Sequence, residues 1–223
     1  MPTDAYVLGL DTSTVATVGL ARGGTVLGRA TAPDRMRHAE QLIVLVDQVC
    51  AEAGIDLRDK TLDRRLVVGV GPGPFTGLRV GIVTARTLGL TLGVDVRGVC
   101  SLDVLAAQAV AAAAPAGEFV IATDARRREV YWARYDAAGR RLAGPDVGSP
   151  DSVPDLPCYG PATAVYPERL TGAGPELILD GGAVAAAGPE LPDVGLEPLY
   201  LRRPDAVEPS RPKSVLATNR RRS

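Results

Sequence analysis

Two stretches of this 223-residue chain carry residue types at a spacing suited to chemistry. Asp11-Thr12-Ser13-Thr14 follows directly on the apolar run Tyr6–Leu10. A buried strand ending in a carboxylate and hydroxyls places an anion and several N–H and O–H donors at one sheet edge. Such a tip can hold a phosphate or a hydrated metal ion. The same residues also make a hairpin turn in which Asp and Thr satisfy local backbone groups, and both readings stand. Gly71-Pro72-Gly73-Pro74-Phe75-Thr76-Gly77 lies between a strand pattern and a helix pattern. Its glycines allow close backbone approach, and it feeds a helix N-terminus, where anions are favoured. It lacks the Gly-Lys-Ser/Thr ending of a P-loop, having Leu78-Arg79 there, and it is not GxGxxG. Phosphate contact and a rigid turn that fixes the next helix are equal readings. The candidate nucleotide or phosphate contacts are therefore Asp11, Thr12, Ser13, Gly73, Thr76 and Gly77.

Other chemistry is excluded by what is missing. His38 is the sole histidine, so no histidine metal cluster is available, and a lone histidine before a helix ordinarily caps or packs. Hydroxyl and carboxylate residues are scattered without a base partner, so no catalytic residue and no metal ligand is expected. Cys50, Cys100 and Cys158 are odd in number and far apart, without a CxxC pair; they read as small buried hydrophobes rather than disulfides or zinc ligands. With a net charge of -1, the chain has no global basic field to gather nucleic acid. Two local basic clusters stand out, Arg126-Arg127-Arg128 and the end of the chain after Asn219. Each reads as an RNA contact or as a solvated turn or terminus. No stretch approaches the roughly 20 apolar residues that span a bilayer, and the N-terminus lacks a signal-peptide pattern. A cytoplasmic protein with no membrane contact is expected.

The elements that position these residues follow an α/β pattern. Tyr6–Leu10, Val15–Ala21 and Thr25–Ala30 read as strands, the last two joined by Gly23-Gly24. Two hairpin-linked strands at the start argue for a mixed sheet. Ala39–Ala53 switches to helical spacing, with Leu42, Ile43, Val46, Val49 and Cys50 on one face and Gly54 as the stop. Leu66–Val70 is the next strand, followed by the glycine-proline loop, a helix over Leu78–Leu92, a strand over Val94–Val99 and a helix over residues 101–114. After Pro115 the pattern restarts with strands at Phe119–Thr123 and Glu129–Tyr135. Beyond Gly139 it is proline-rich and weakly periodic, apart from Leu177–Leu179. The expected organisation is a first lobe over 1–115, a smaller degenerate lobe over 116–209 and a disordered tail over 210–223.

The helix over Leu78–Leu92 is apolar on every side. Val80, Ile82, Val83, Leu88, Leu90 and Leu92 spread around it, while Gly81, Ala85 and Gly89 recur every fourth residue. A surface helix carries one apolar stripe; one apolar all round must be covered on all sides. A chain this small can hardly cover two such helices, which favours an intermolecular helix–helix contact over a central helix of one chain.

Taken together, LGLDTST, RHAEQL, GVGPGPFTGLRVGIVTARTLGLTLG, GVCSLDVLA and TDARRREVY resemble the TsaB (YeaZ-like) family over about residues 6–136. The match is looser up to Pro198-Leu199-Tyr200-Leu201-Arg202-Arg203. GPGPFTGLR is the most specific piece, whereas DTST is shared with many actin-like ATPases. The resemblance implies an actin-like (ASKHA) α/β fold with two related lobes, mixed sheets and a reduced second lobe. It also implies a subunit of the tRNA threonylcarbamoyladenosine machinery. Such a subunit would be a non-catalytic scaffold for a TsaD-type catalytic subunit, with a TsaE-type ATPase in the same assembly, a homodimer when alone and tRNA reached through the complex. No tightly bound cofactor is implied, ATP or ADP being expected only within the complex. TsaD-type proteins carry two metal-binding histidines where this chain has Ser101 and Leu105. The family's dimer surface, carried across, comprises Leu42, Leu45, Val46, Val49, Val80, Val83, Thr84 and Thr87. The competing reading is a small actin-like ATPase or kinase using Asp11 and the Gly71–Gly77 loop. A metal-dependent protease is disfavoured by the single histidine and the missing HExxH.

Overall fold

The computed structural model describes residues 4–32, 38–113 and 115–202. The tail expected over 210–223 lies outside them. β1 (Tyr6–Asp11), β2 (Thr17–Arg22) and β3 (Thr25–Thr31) form an antiparallel meander. β4 (Arg64–Gly69) lies parallel to β1, and β5 (Val96–Val99) parallel to β4, giving the order β3-β2-β1-β4-β5. The parallel pairs are linked through helices, as they must be. α1 (His38–Ala53) joins β3 to β4, and α2 (Phe75–Leu92) joins β4 to β5.

Strand alternation sorts the side chains between two cores. Leu8 and Leu10 of β1 point to the side of α1 and α2, packing with Leu42, Val49 and Ile82. Val7 joins the opposite core with Val67, Phe119 and Ala185. β1 is thus buried on both faces, which is why its sequence is a continuous apolar run rather than an alternating one.

A second sheet repeats the first in reduced form. β6 (Phe119–Arg126), β7 (Glu129–Tyr135) and β8 (Arg141–Gly148) make a meander, and the two-residue β9 (Cys158–Tyr159) runs parallel to β6. The order β8-β7-β6-β9 matches β3-β2-β1-β4 strand for strand, with no counterpart of β5. Two related lobes with mixed sheets, the second reduced, define an actin-like fold. α3 (Ser101–Ala113) leaves the first sheet and packs against β6, β7 and α5. There the Tyr135 hydroxyl donates to Asp103 Oδ1 at 2.9 Å, and Arg141 Nε lies 3.5 Å from the same oxygen.

The lobe boundary differs from the one expected from sequence. After β9 and the single-turn α4 (Ala162–Val165), the chain returns to the first sheet instead of staying with the second. α5 (Gly181–Ala187) lies on β1, β2 and β3, and Val194 N–H and Leu199 N–H donate to Gly98 and Val70 carbonyls. The described residues 116–202 of the expected second lobe therefore divide between the two sheets. The physical reason is that the face of the first sheet opposite α1 and α2 needs a cover. Gly9 and Gly19 are cross-strand partners beneath α5. A Cβ at Gly19 would sit 2.3 Å from the Gly181 carbonyl carbon, so only glycine lets helix and sheet backbones meet. Thr17 Oγ1 accepts Gly181 N–H at 2.8 Å, and Asp180 caps the helix by accepting Gly182 N–H.

Candidate functional site

Asp11 ends β1 with no accessible surface. Its Oδ1 accepts Ser13 N–H at 2.6 Å, and its Oδ2 accepts the Ser101 hydroxyl at 2.6 Å. Ser101 Oγ in turn accepts Gly71 N–H at 3.1 Å, tying the tip of β1 to the glycine-proline loop and to the start of α3. Thr12 Oγ1 donates to the Gly77 carbonyl at 2.8 Å. Burial raises the Asp11 pKa, and the hydrogen bonds from Ser101 and Ser13 only partly oppose it.

The glycines of the loop serve this contact. A Cβ at Gly73 would lie 2.8 Å from Ser13 Cα, one at Gly77 2.7 Å from the Thr12 carbonyl, and one at Gly81 2.3 Å from Thr12 Oγ1. Five of the six candidate phosphate contacts, Asp11, Thr12, Ser13, Gly73 and Gly77, are thus brought together, but against each other and buried; Thr76 alone is exposed. In this structure the two stretches make their turn contacts with each other, while Gly73 also borders an open cavity. The tip is closed by the chain's own loop, and a phosphate or metal ion would have to displace that loop.

The positions matching the TsaD-type histidines are likewise committed. Ser101 is buried at the tip, and Leu105 is buried in the core shared by the two lobes. Among the described residues no three His, Cys, Asp or Glu side chains come together as metal ligands. The thiols are free; burial pushes Cys50 up to about 11 and Cys100 and Cys158 up to about 12, leaving them as thiols near neutrality.

The expected interface residues divide. Leu42, Leu45, Val46 and Val49 are buried in the core between α1 and the chain's own sheet, so they present almost no surface to a partner. Helical spacing marks an apolar stripe but not what it faces, and here the regular stripe of α1 faces the sheet. On the outer side of α1, Ile43 and Val44 are 45% and 63% exposed, and the sequence reading did not select Val44. On α2, Val80 and Thr84 are half-buried, while Val83 and Thr87 are exposed. Val83, at 60%, and Leu90, at 86%, bracket Thr87 at i, i+4 and i+7, which puts all three on one outward stripe. The signal for Leu90 was present in that spacing. α1 and α2 pack side by side, and their outward residues include the apolar Ile43, Val44, Val83 and Leu90.

An actin-like fold with a loop packed over its first-lobe tip and exposed apolar side chains on its helical layer is a defined class of molecule. Comparison with known proteins narrows it. Residues 26–209 match the family described as TsaD, tRNA N6-adenosine threonylcarbamoyltransferase. An uncharacterised protein of Mycobacterium bovis is 43% identical over 210 residues, covering 90% of this chain and 93% of its own length. The tRNA threonylcarbamoyladenosine biosynthesis protein TsaB of Escherichia coli is 35% identical over 130 residues, covering 58% of this chain and 54% of the relative. YeaZ from Pseudomonas aeruginosa superposes with a TM-score of 0.70 at 28% identity, covering 88% of this chain and 100% of that one. The chain belongs to this family, as a TsaB-type member. No helix among the described residues is long and apolar enough to cross a membrane.

Proposed function

We propose that this chain is a non-catalytic subunit that docks a TsaD-type catalytic subunit and supports transfer of a threonylcarbamoyl group to the anticodon-adjacent adenosine of ANN-decoding tRNAs. The observation that carries the reading is the exposure of large apolar side chains on two helices that pack together, Ile43 and Val44 on α1 and Val83 and Leu90 on α2, since exposed apolar groups brought together mark interaction sites. A second TsaB-type copy would use the same surface when the partner is absent, and a TsaE-type ATPase would join the assembly formed.

Co-purification with the TsaD-type protein of the same organism tests it. Val83→Glu combined with Leu90→Glu should abolish capture while circular dichroism and the thermal midpoint stay near wild type, since both side chains are exposed. Undiminished capture by the folded variant overturns the reading. The sealed Asp11 tip speaks against the competing ATPase or kinase, which needs that carboxylate to reach a magnesium nucleotide. Titration calorimetry of the isolated chain with Mg-ATP should give no micromolar binding and no turnover; finding both would replace the scaffold by the enzyme.

A further inference from the structure

The β6–β7 hairpin turns on Arg126, Arg127 and Arg128, all with positive φ of 60, 55 and 62°. A two-residue hairpin favours this left-handed backbone at both central positions, and Asn or Gly ordinarily supply it. The β2–β3 hairpin obeys that preference, with Gly23 and Gly24 at φ 55 and 80°. Arginine has no conformational advantage at such positions. Turn geometry therefore does not explain three arginines in succession.

Two of these side chains line a cavity of about 370 Å³ between the lobes. The first lobe contributes Gly73, Pro74 and Phe75, the hairpin Arg126 and Arg127, and the C-terminal segment Tyr200 and Arg202. One wall is rigid: Phe75 stacks on Tyr200 at 4.8 Å, and the Arg79 guanidinium lies 3.9 Å from the Phe75 centroid while its Nε donates to Tyr200 Oη. Arg126, Arg127, Arg202 and the carboxylate Asp124 line the cavity. Asp124 Oδ1 is occupied by Arg126 N–H at 2.9 Å and the Tyr166 hydroxyl at 3.3 Å. Arg202 is paired with Glu129 and donates to the Ala125 carbonyl.

The floor decides which anion fits. Gly73 is pressed against Ser13, so the cavity stops short of Asp11 and offers no strand-tip carboxylate for a magnesium ion. A phosphodiester carries one charge, needs no metal and is matched by a planar guanidinium fork. We propose that this inter-lobe cavity, through Arg126 and Arg127, holds a backbone phosphate of RNA. The proposal rests on the tRNA reading above for the identity of the ligand, and it adds a direct contact by this subunit.

The test is fluorescence anisotropy of a labelled RNA hairpin with the full chain at low salt. Arg126→Asn combined with Arg127→Gly removes the two hairpin charges that line the cavity while favouring the turn. Arg128→Gly removes a charge from the same turn that does not line the cavity. The double variant should bind roughly tenfold more weakly, with a salt slope lower by about one to two, whereas Arg128→Gly should change affinity less than about threefold. Inorganic pyrophosphate should displace the RNA, and Mg-ATP at equal concentration should not. Equal losses in both variants, no loss in the double variant, or displacement by Mg-ATP alone would each overturn the assignment. The double variant should still capture the TsaD-type partner. Failure of RNA binding with capture intact removes this site only, whereas failure of the Val83→Glu, Leu90→Glu prediction removes the docking reading.

Discussion

The tips of β1 and β6 hold the same place in two related sheets, and their local chemistry is alike. In each, an aspartate accepts the N–H of the residue two further on, Ser13 at 2.6 Å in the first lobe and Arg126 at 2.9 Å in the second. What surrounds them differs. In the first lobe the Gly71–Gly77 loop folds over the turn, Ser101 takes the second carboxylate oxygen, and Asp11 loses all contact with water. In the second, Asp124, Arg126 and Arg127 stay exposed and line the inter-lobe cavity. One turn has become a structural keystone and the other an accessible charged rim. Turn chemistry proposed both fates, and the neighbouring elements chose between them.

Substitutions can break or sharpen this contrast. The largest effect is expected from Gly77→Val, whose Cβ would press on the Thr12 carbonyl at 2.7 Å. Forcing the loop off the tip should cost about 3 kcal/mol in urea unfolding. Asp11→Ala strands the Ser13 and Ser101 donors and should cost ~2 kcal/mol, whereas Asp124→Ala, at a solvated tip, should cost clearly less in the same assay.

The pH dependence should separate the tips further. The folded pKa of Asp11 is raised by burial above the ordinary 3.8. Its contribution is therefore full below that ordinary value and is lost as pH rises through the raised folded value. Asp103 is shifted in the same direction, also chiefly by burial, so total stability is a mixed readout. The difference between wild type and Asp11→Asn isolates Asp11, and it should shrink as pH rises above the ordinary carboxylate value of 3.8. A constant difference would mean that Asp11 does not titrate in that window. The smallest effect is expected from Arg127→Asn with Arg128→Gly, which relieves a backbone unfavourable for arginine and should raise stability by ~1 kcal/mol or less.

Much of the first lobe follows from the chain alone. Apolar runs and helical spacing locate β1, β4, α1, α2 and α3 to within a few residues, because each is long or uniformly buried enough for its pattern to show. The glycine-proline loop, the duplicated strand pattern and the family resemblance are equally sequence properties. The second half is less legible. β9 has two residues, α4 four and α5 seven, lengths at which a helix is not stable without its contacts and periodicity has no window to act in. That α5 crosses back to cover the first sheet depends on Gly9 and Gly19 meeting Gly181, residues 162 to 172 positions apart in the chain. Which face of α1 turns inward was also decided in three dimensions, since Leu42 and Val44 are both apolar and only the sheet distinguishes them. So was the closure of the Asp11 tip. A sequence can supply a carboxylate and a glycine, but whether they meet each other or a ligand depends on distances that only the packed chain sets.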